Sequence, residues 1–305
     1  MFTVVGLGEV LWDIYDGEKR LGGAPANFAL HVLQLGHDGI VVSRVGRDEL
    51  GREITESLKS MGASTEYIQE DEEYPTGTVR VSLDPQGRPS FFIVPEVAYD
   101  YLEYTQRLRA LAERAEAVLF GSLAQRNPKS REAIRSFLGD AGRALKVLDV
   151  NLRAWDPETQ EVVRESLKFA DVLKVNDEEL ERLKELLGRG DEDVRSFLRR
   201  LIGEFPIKLV ALTLGERGCV LATSEGFVPS PAMEVVPLDT TGSGDAFAAA
   251  LVVGLLEGKE LEEVADFANA LGGFVATRKG AVPSYTPSEV ERFSNDTPRR
   301  KTPKI

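Results

Sequence analysis

Six short runs rich in aliphatic and β-branched residues, FTVVGLG, GIVVSRVG, AVLFGSL, ALKVLDV, DVLKVN and KLVALTLG, alternate with segments that carry helix start and stop signals. No other feature constrains the chain as much. Strands separated by helices form parallel sheets, because a parallel connection needs a dozen or so residues to return to the same edge. The helix punctuation is specific: Pro25 opens a segment that closes at Gly36, Asp156 and Pro157 cap and start another, and Asp191 is placed to cap a third.

The rhythm breaks once. From Thr76 to Val94, TGTVRVSLDPQGRPSFFIV alternates with period two on both sides of a Pro/Gly turn, which predicts a β-hairpin with no helix after it. The strand-like LWDIYD near 11–16 is placed to pair with that hairpin. The expectation is one α/β domain over 1–305, with a small β lid contributed by about 10–16 and 74–97 at the ligand edge of the sheet. The acidic run from Glu70 to Glu73 reads as a solvated loop.

Charge narrows the partners. Thirty-seven basic side chains against 50 acidic ones give a formal charge of −13, a field that opposes nucleic acid and anionic membranes unless a local basic patch overrides it. The one basic cluster, RRKTPK near the last residue, reads as a frayed end. Cys219 is the single cysteine, so no disulfide can form within the chain, and the first residues lack the basic start of a signal peptide. No apolar stretch approaches the ~20 residues of a membrane span. The expected setting is cytoplasmic and reduced, with no nucleic-acid and no membrane partner.

The stretch DTTGSGDAFAAAL, residues 239–251, carries the chemistry. Gly242 and Gly244 permit a tight turn with its N–H groups outward, and Ala246 to Leu256 reads as a buried helix ending at Gly258. A helix N-terminus binds anions, and its amides stabilise the charge that develops during phosphoryl transfer. The turn contains no lysine, and its carboxylate, Asp245, would repel a phosphate. Asp245 instead suits an acceptor hydroxyl, whose proton it can take as the oxygen meets the phosphorus. The simpler reading is a favourable charge–dipole contact at the helix start.

Other nucleotide signatures are incomplete. GLGEVL at 6–11 has Leu11 where a dinucleotide fingerprint needs its third glycine, GRDELGRE from Gly46 has Arg52 where a P-loop needs lysine, and there is no HRD triplet of a protein kinase. LGGAPANFALHVLQLG places Asn27 in the first turn of an amphipathic helix behind Gly22 and Gly23. Its amide can donate to and accept from sugar hydroxyls, and the paired glycines suit a hinge. Arg153, in NLRAW, is a planar donor for phosphate or carboxylate just beyond a strand that ends near Asp149 and Asn151, where open α/β sheets bind ligands. Asn176 followed by Glu179 also forms a capping-box pattern for the next helix. His31, His37 and Cys219 read as structural.

GGAPAN near the start and DTTGSGDAF near the end, with GEVLWD, VGRDELG, FGSLAQR, DVNLRAW, VNDEE, TLGERG and RKGAVPS in order along the chain around them, resemble the ribokinase-like (PfkB) carbohydrate kinases, bacterial fructokinases most of all. The resemblance implies a three-layer fold with a mostly parallel central sheet and a β lid. It also implies ATP-dependent phosphorylation of a sugar hydroxyl, fructose to fructose 6-phosphate, with 2-keto-3-deoxygluconate kinase and a catalytically idle sugar-binding regulator as alternatives. By that resemblance Asp245 is the catalytic base and Gly242, Ser243 and Gly244 are the anion hole, with Ser243 where alanine is common. Asp13, Gly23 and Asn27 hold the sugar, and Arg153 serves phosphate or an acid sugar. Asn176 and Glu179 organise Mg²⁺ through water, and Thr213, Gly215, Gly218 and Asn269 lie on the nucleotide side. Asp239 and Thr241 with RKGAVPS form a K⁺ site, and a homodimer through the lid sheet is implied.

Overall fold

The structure is a computed structural model and describes residues 1–15, 17–83 and 89–305. The Pro/Gly turn expected inside the hairpin and Asp16 lie outside the described residues. The described strands are β1 (Thr3–Leu7), β2 (Leu11–Tyr15), β3 (Glu18–Gly22), β4 (Asp38–Gly46), β5 (Ile68–Asp71), β6 (Thr78–Leu83), β7 (Pro89–Ile93), β8 (Ala117–Phe120), β9 (Leu145–Asp149), β10 (Val172–Asn176), β11 (Leu209–Thr213), β12 (Cys219–Ala222) and β13 (Phe227–Ser230). The described helices are α1 (Ala24–Gln34), α2 (Glu49–Ser60), α3 (Gln106–Arg114), α4 (Pro128–Asp140), α5 (Pro157–Ser166), α6 (Asp177–Leu186), α7 (Val194–Glu204), α8 (Ser243–Leu256), α9 (Leu261–Ala276) and α10 (Pro287–Asp296).

A nine-stranded sheet runs β13-β12-β11-β10-β9-β8-β1-β4-β5. The strands from β11 to β5 are mutually parallel, and β12 and β13 extend the sheet antiparallel at one edge. From β1 the chain moves outward first to β4 and β5 and then, on the other side, to β8 and beyond. That reversal opens a crevice at the carboxyl ends of the central strands, where such sheets bind ligands.

Side-chain alternation splits the core into two layers. Val4, Leu119 and Ala211 face α1, α8 and α9, whereas Val5, Val118 and Val210 face α3, α4, α6 and α7. Gly6 lies on the α1 side, where a Cβ would collide with the Pro25 carbonyl, so the helix rests directly on β1. Helix α8 is buried continuously from Ala246 to Gly254, which accounts for its unbroken apolar sequence. No helix among the described residues is long and apolar enough to cross a membrane.

The lid is a separate four-stranded sheet in the order β3-β2-β6-β7. The expected pairing of the 11–16 segment with the hairpin is present, Trp12 lying opposite Thr78 in parallel register. The sequence expectation omitted β3, because EKRLG lacks strand composition; the ladder with β2 holds it, pairing Asp13 with Arg20.

Three further expectations are corrected. Helix α7 is capped by Asp193, whose carboxylate accepts from the Ser196 amide at 3.1 Å, and not by Asp191. The acidic run is not wholly solvated: Asp71 ends β5, is 3% exposed and pairs with Arg44 at 2.7 Å. The basic tail is docked, with the Arg300 amide donating to the Ala232 carbonyl at 2.9 Å and Arg299 bridging to Met233.

Candidate active site

Two clefts open at the carboxyl end of the sheet and meet at one turn. The first, about 370 Å³, lies under the lid and is lined by Glu9, Asp13, Asn27, Arg153 and Asp245 among others. The second, about 510 Å³, is lined by Thr213, Gly215, Gly218, Phe247, Asn269 and the tail residue Arg300 among others. Asn176, Thr213, Thr240 and Gly244 line both.

The turn between the clefts begins α8. Gly242 has φ of +77° and backs onto Ala281, whose carbonyl a Cβ would strike, so glycine is required there on both counts. The Ser243 amide donates to the Thr240 carbonyl at 3.2 Å, whereas the amides of Gly242, Gly244 and Asp245 have no backbone acceptor among the described residues. They are the free donors of a helix start. The Ser243 hydroxyl is buried without a hydrogen-bond partner.

Asp245 follows on the first turn, half-buried and facing the lid cleft. Burial, and after it the charge of Asp149, pushes its pKa up to about 6 against the opposing pull of Asn27, Lys174 and Arg153. Asn27, from α1, donates to its Oδ2 at 2.8 Å. The other end of that amide, Oδ1, is buried with no partner.

Lys174 is the residue the sequence reading missed. It lies on β10, on the side that faces α8, and its Nζ contacts both carboxylate oxygens of Asp149 at 2.9 Å. A Cβ on Gly244 would stand 3.4 Å from that ammonium, so the charge sits directly beneath the turn. Burial works against the ammonium, but Asp149, Glu179 and Asp245 outweigh it and raise its pKa. The lysine absent from the glycine turn thus comes from another strand. The available signal was a lysine inside an otherwise apolar strand.

Asp13, Gly23, Asn27 and Arg153 all line the lid cleft, though the glycines do other work. Gly23, with φ of +106°, opens α1, and a Cβ there would strike the Glu9 carbonyl; a Cβ on Gly22 would crowd the Asp13 carboxylate. Close approach accounts for both glycines without a hinge. Burial raises the pKa of Asp13 against Arg153 and Arg20. Glu9, not singled out from sequence, is 4% exposed, leaves Oε2 without a hydrogen-bond partner and is pushed up to about 7, mainly by burial. Arg153 is exposed at the cleft and forms no ion pair among the described residues.

In the second cleft, Asn269 is part of the lining while its amide donates to the Ser230 carbonyl at 3.0 Å, holding the end of β13. Gly218 has φ of +108°, and a Cβ there would strike the Ser230 carbonyl. The capping box of α6 is formed: Asn176 Oδ1 accepts from the Glu179 amide at 2.8 Å and Glu179 Oε2 accepts from the Asn176 amide at 2.9 Å. Glu179 Oε1 accepts from the Leu152 amide at 3.0 Å, so both of its oxygens are already bonded. Burial, then Asp149, raises its pKa. Asp239 accepts from the amides of Thr241 and Gly280 at 3.0 and 3.1 Å. Among the described residues no group of three or more His, Cys, Asp or Glu side chains is placed to hold a metal ion.

Comparison with known proteins agrees with this geometry. A model of the pfkB family of carbohydrate kinases matches residues 7–288. The chain is 36% identical over 279 residues to an uncharacterized sugar kinase of Pyrococcus horikoshii, covering 89% of this chain and 85% of that one. The crystal structure of that protein in complex with ATP superposes with a TM-score of 0.81 over 96% of this chain and 99% of the other. Fructokinase-1 of Oryza sativa is 34% identical over 287 residues, covering 90% of this chain and 87% of its own. A fructokinase of Vibrio cholerae, crystallised with fructose, ADP and calcium, is 26% identical with a TM-score of 0.80 over 95% of this chain and 98% of that one. With its ribokinase-like architecture and a family match that spans both clefts and the turn between them, the chain belongs to the pfkB family of carbohydrate kinases and is a phosphotransferase.

Proposed function

We propose that the protein transfers the γ-phosphate of ATP to a sugar hydroxyl, converting fructose to fructose 6-phosphate, with Asp245 as general base. The observation that carries this reading is the junction of the two clefts: Asp245 lines the lid cleft, Ser243 the other, and Gly244 both. A sugar under the lid presents its hydroxyl to the carboxylate while the nucleotide presents its terminal phosphate to the amides. Asp245 accepts the hydroxyl proton, the sugar oxygen bonds to the γ-phosphorus, and the bond from that phosphorus to the ADP oxygen breaks. The free amides of the turn, with Lys174 beneath them, meet the charge on the transferring group. Fructose as acceptor is supported by the likeness to the rice fructokinase and by the fructose-bound Vibrio enzyme.

The residues present fit a Mg²⁺ that arrives with the nucleotide and keeps mostly water and phosphate oxygens, since each Glu179 oxygen already accepts from one amide, leaving room for a water, and no acidic cage exists among the described residues. Asn176 and Glu179 would hold it through water, and when bound it would neutralise phosphate charge. A K⁺ at Asp239 and Thr241 would share that carboxylate with the Arg20 guanidinium at 3.2 Å.

A second reading, 2-keto-3-deoxygluconate as acceptor, is favoured by the Arg153 guanidinium, which is free to meet a carboxylate at the cleft. ADP release measured across fructose, ribose, 2-keto-3-deoxygluconate, adenosine and glucose tests both. The proposal expects the highest kcat/KM with fructose; activity confined to 2-keto-3-deoxygluconate would overturn it.

A further inference from the structure

We propose that Arg20 is a positioning residue that ties the lid to the loop ahead of the anion turn, so that the position of the lid and the geometry of the phosphate-binding amides are set together. The contact joins segments 219 residues apart: Arg20 Nη1 donates to Asp239 Oδ2 at 3.2 Å. Arg20 stands on β3 directly across the ladder from Asp13, the carboxylate on the sugar side. Its guanidinium is fixed in place by Glu18, at 3.1 and 3.3 Å, and lies 4.6 Å from the centre of the Tyr15 ring.

Asp239 is the organiser of the other side. Its Oδ1 accepts from the Thr241 amide, one residue before Gly242, and its Oδ2 accepts from the Gly280 amide, one residue before the Ala281 carbonyl on which Gly242 rests. One carboxylate therefore holds both segments that shape the turn. Its side chain is only 16% exposed, and the cation that balances it is delivered by the lid. A second strut runs the opposite way, from Lys279 in the 278–280 segment to Glu18 on β3 at 3.4 Å.

The energetic consequence follows from charge. Lifting the lid would take the Arg20 guanidinium away from Asp239 and leave that carboxylate held by the Thr241 and Gly280 amides alone. Closure therefore completes the contacts that hold Asp239 as well as covering the sugar, and it keeps water from the phosphate when both substrates are in place. The inference rests on the chain being a sugar kinase with a closing lid and not on the sugar being fructose.

The test uses Arg20→Ala, Arg20→Lys, Asp239→Asn and the Arg20→Ala/Asp239→Asn double variant of the full chain. Three quantities are measured: kcat with the preferred sugar, ADP release without sugar, and the unfolding temperature. The expected result is a loss of about tenfold or more in kcat for Arg20→Ala, the size of a charged hydrogen bond. The ratio of sugar-free to sugar-dependent ADP release should rise, with Tm within about 1 °C of wild type, below the roughly 1.5 °C shift expected for 1 kcal/mol in a chain of this length. The double variant should be no more than about twofold worse than the poorer single variant, because both remove the same contact. Arg20→Lys should recover part of the loss. Single losses that multiply in the double variant, or an Arg20→Ala enzyme within about twofold of wild-type kcat, would overturn the proposal. An error in the sugar assignment shows separately, as wild-type inactivity on fructose.

Discussion

Asn27 donates a 2.8 Å hydrogen bond to the Asp245 carboxylate across 218 residues of sequence. The two glycine-containing motifs at opposite ends of the chain therefore meet: α1 orients the carboxylate that α8 carries. The amide oxygen left over is buried and without a partner, and under the proposed function a sugar hydroxyl would supply the donor it lacks.

Burial of that carboxylate sets a pH dependence under the proposed mechanism. Asp245, pushed up to about 6, is protonated below that pH and cannot accept the hydroxyl proton. Activity should fall as pH drops through about 6. Asn27→Leu removes a contact that lowers the Asp245 pKa, so the limb should move to higher pH. A pH profile of kcat/KM on wild type and Asn27→Leu checks the direction.

The same carboxylate costs stability. Its pKa in the fold, about 6, exceeds the unfolded value of 3.8, so the folded state binds the proton more tightly. Its stabilising contribution is full below the unfolded value and is lost as pH rises through about 6. Asp245→Asn, which can still accept from Asn27, should therefore unfold at a higher temperature than wild type at pH 7.5, a difference that shrinks toward pH 4.

Lys174 and Asp149 form a buried pair in which each is the other's counter-charge. Lys174→Met should destabilise the fold by about 3–5 kcal/mol, because Asp149 stays buried and unpaired. Adding Asp149→Asn should restore much of that stability in denaturant titrations. It should not restore kcat, since the positive charge beneath Gly244 is still missing.

Glu179→Gln leaves one carbonyl oxygen where two carboxylate oxygens accept from the Asn176 and Leu152 amides. The expected loss is about 1.5–3 kcal/mol, the range for a hydrogen bond to a charged group, read from chemical unfolding. The side chain is thus structural whatever its contribution to Mg²⁺, and a Mg²⁺ titration of activity on the same variant separates the two roles.

Arg300 lines the second cleft, the proposed nucleotide site, and pairs with Glu216 at 3.1 Å. Arg300→Ala should raise the KM for ATP about two- to fivefold, in keeping with a partly exposed charge, and leave the sugar KM unchanged.

Much of this was legible in the sequence, and the parts that were not share a cause. The β-branched runs gave β1, β4, β8, β9, β10 and β11, because strands buried on both faces must be apolar throughout. Gly242, Asp245 and Asn27 were legible because local backbone demands at a helix start select particular residue types. Lys174, Glu9 and the Arg20 contact with Asp239 were not, since each depends on which face of a strand a residue occupies and which distant loop that face meets. The docked tail was missed for a related reason: basic composition reads as solvated until Ala232 and Met233 offer it a backbone edge.

The most direct measurement is ADP release by Asp245→Asn at saturating ATP and fructose, with wild type alongside. The account predicts a kcat lower by about 10²- to 10⁴-fold, the usual contribution of a general base, while the dissociation constants for ATP and sugar stay close to wild type. A variant that keeps more than about a tenth of wild-type kcat would contradict the assignment of Asp245 as the base.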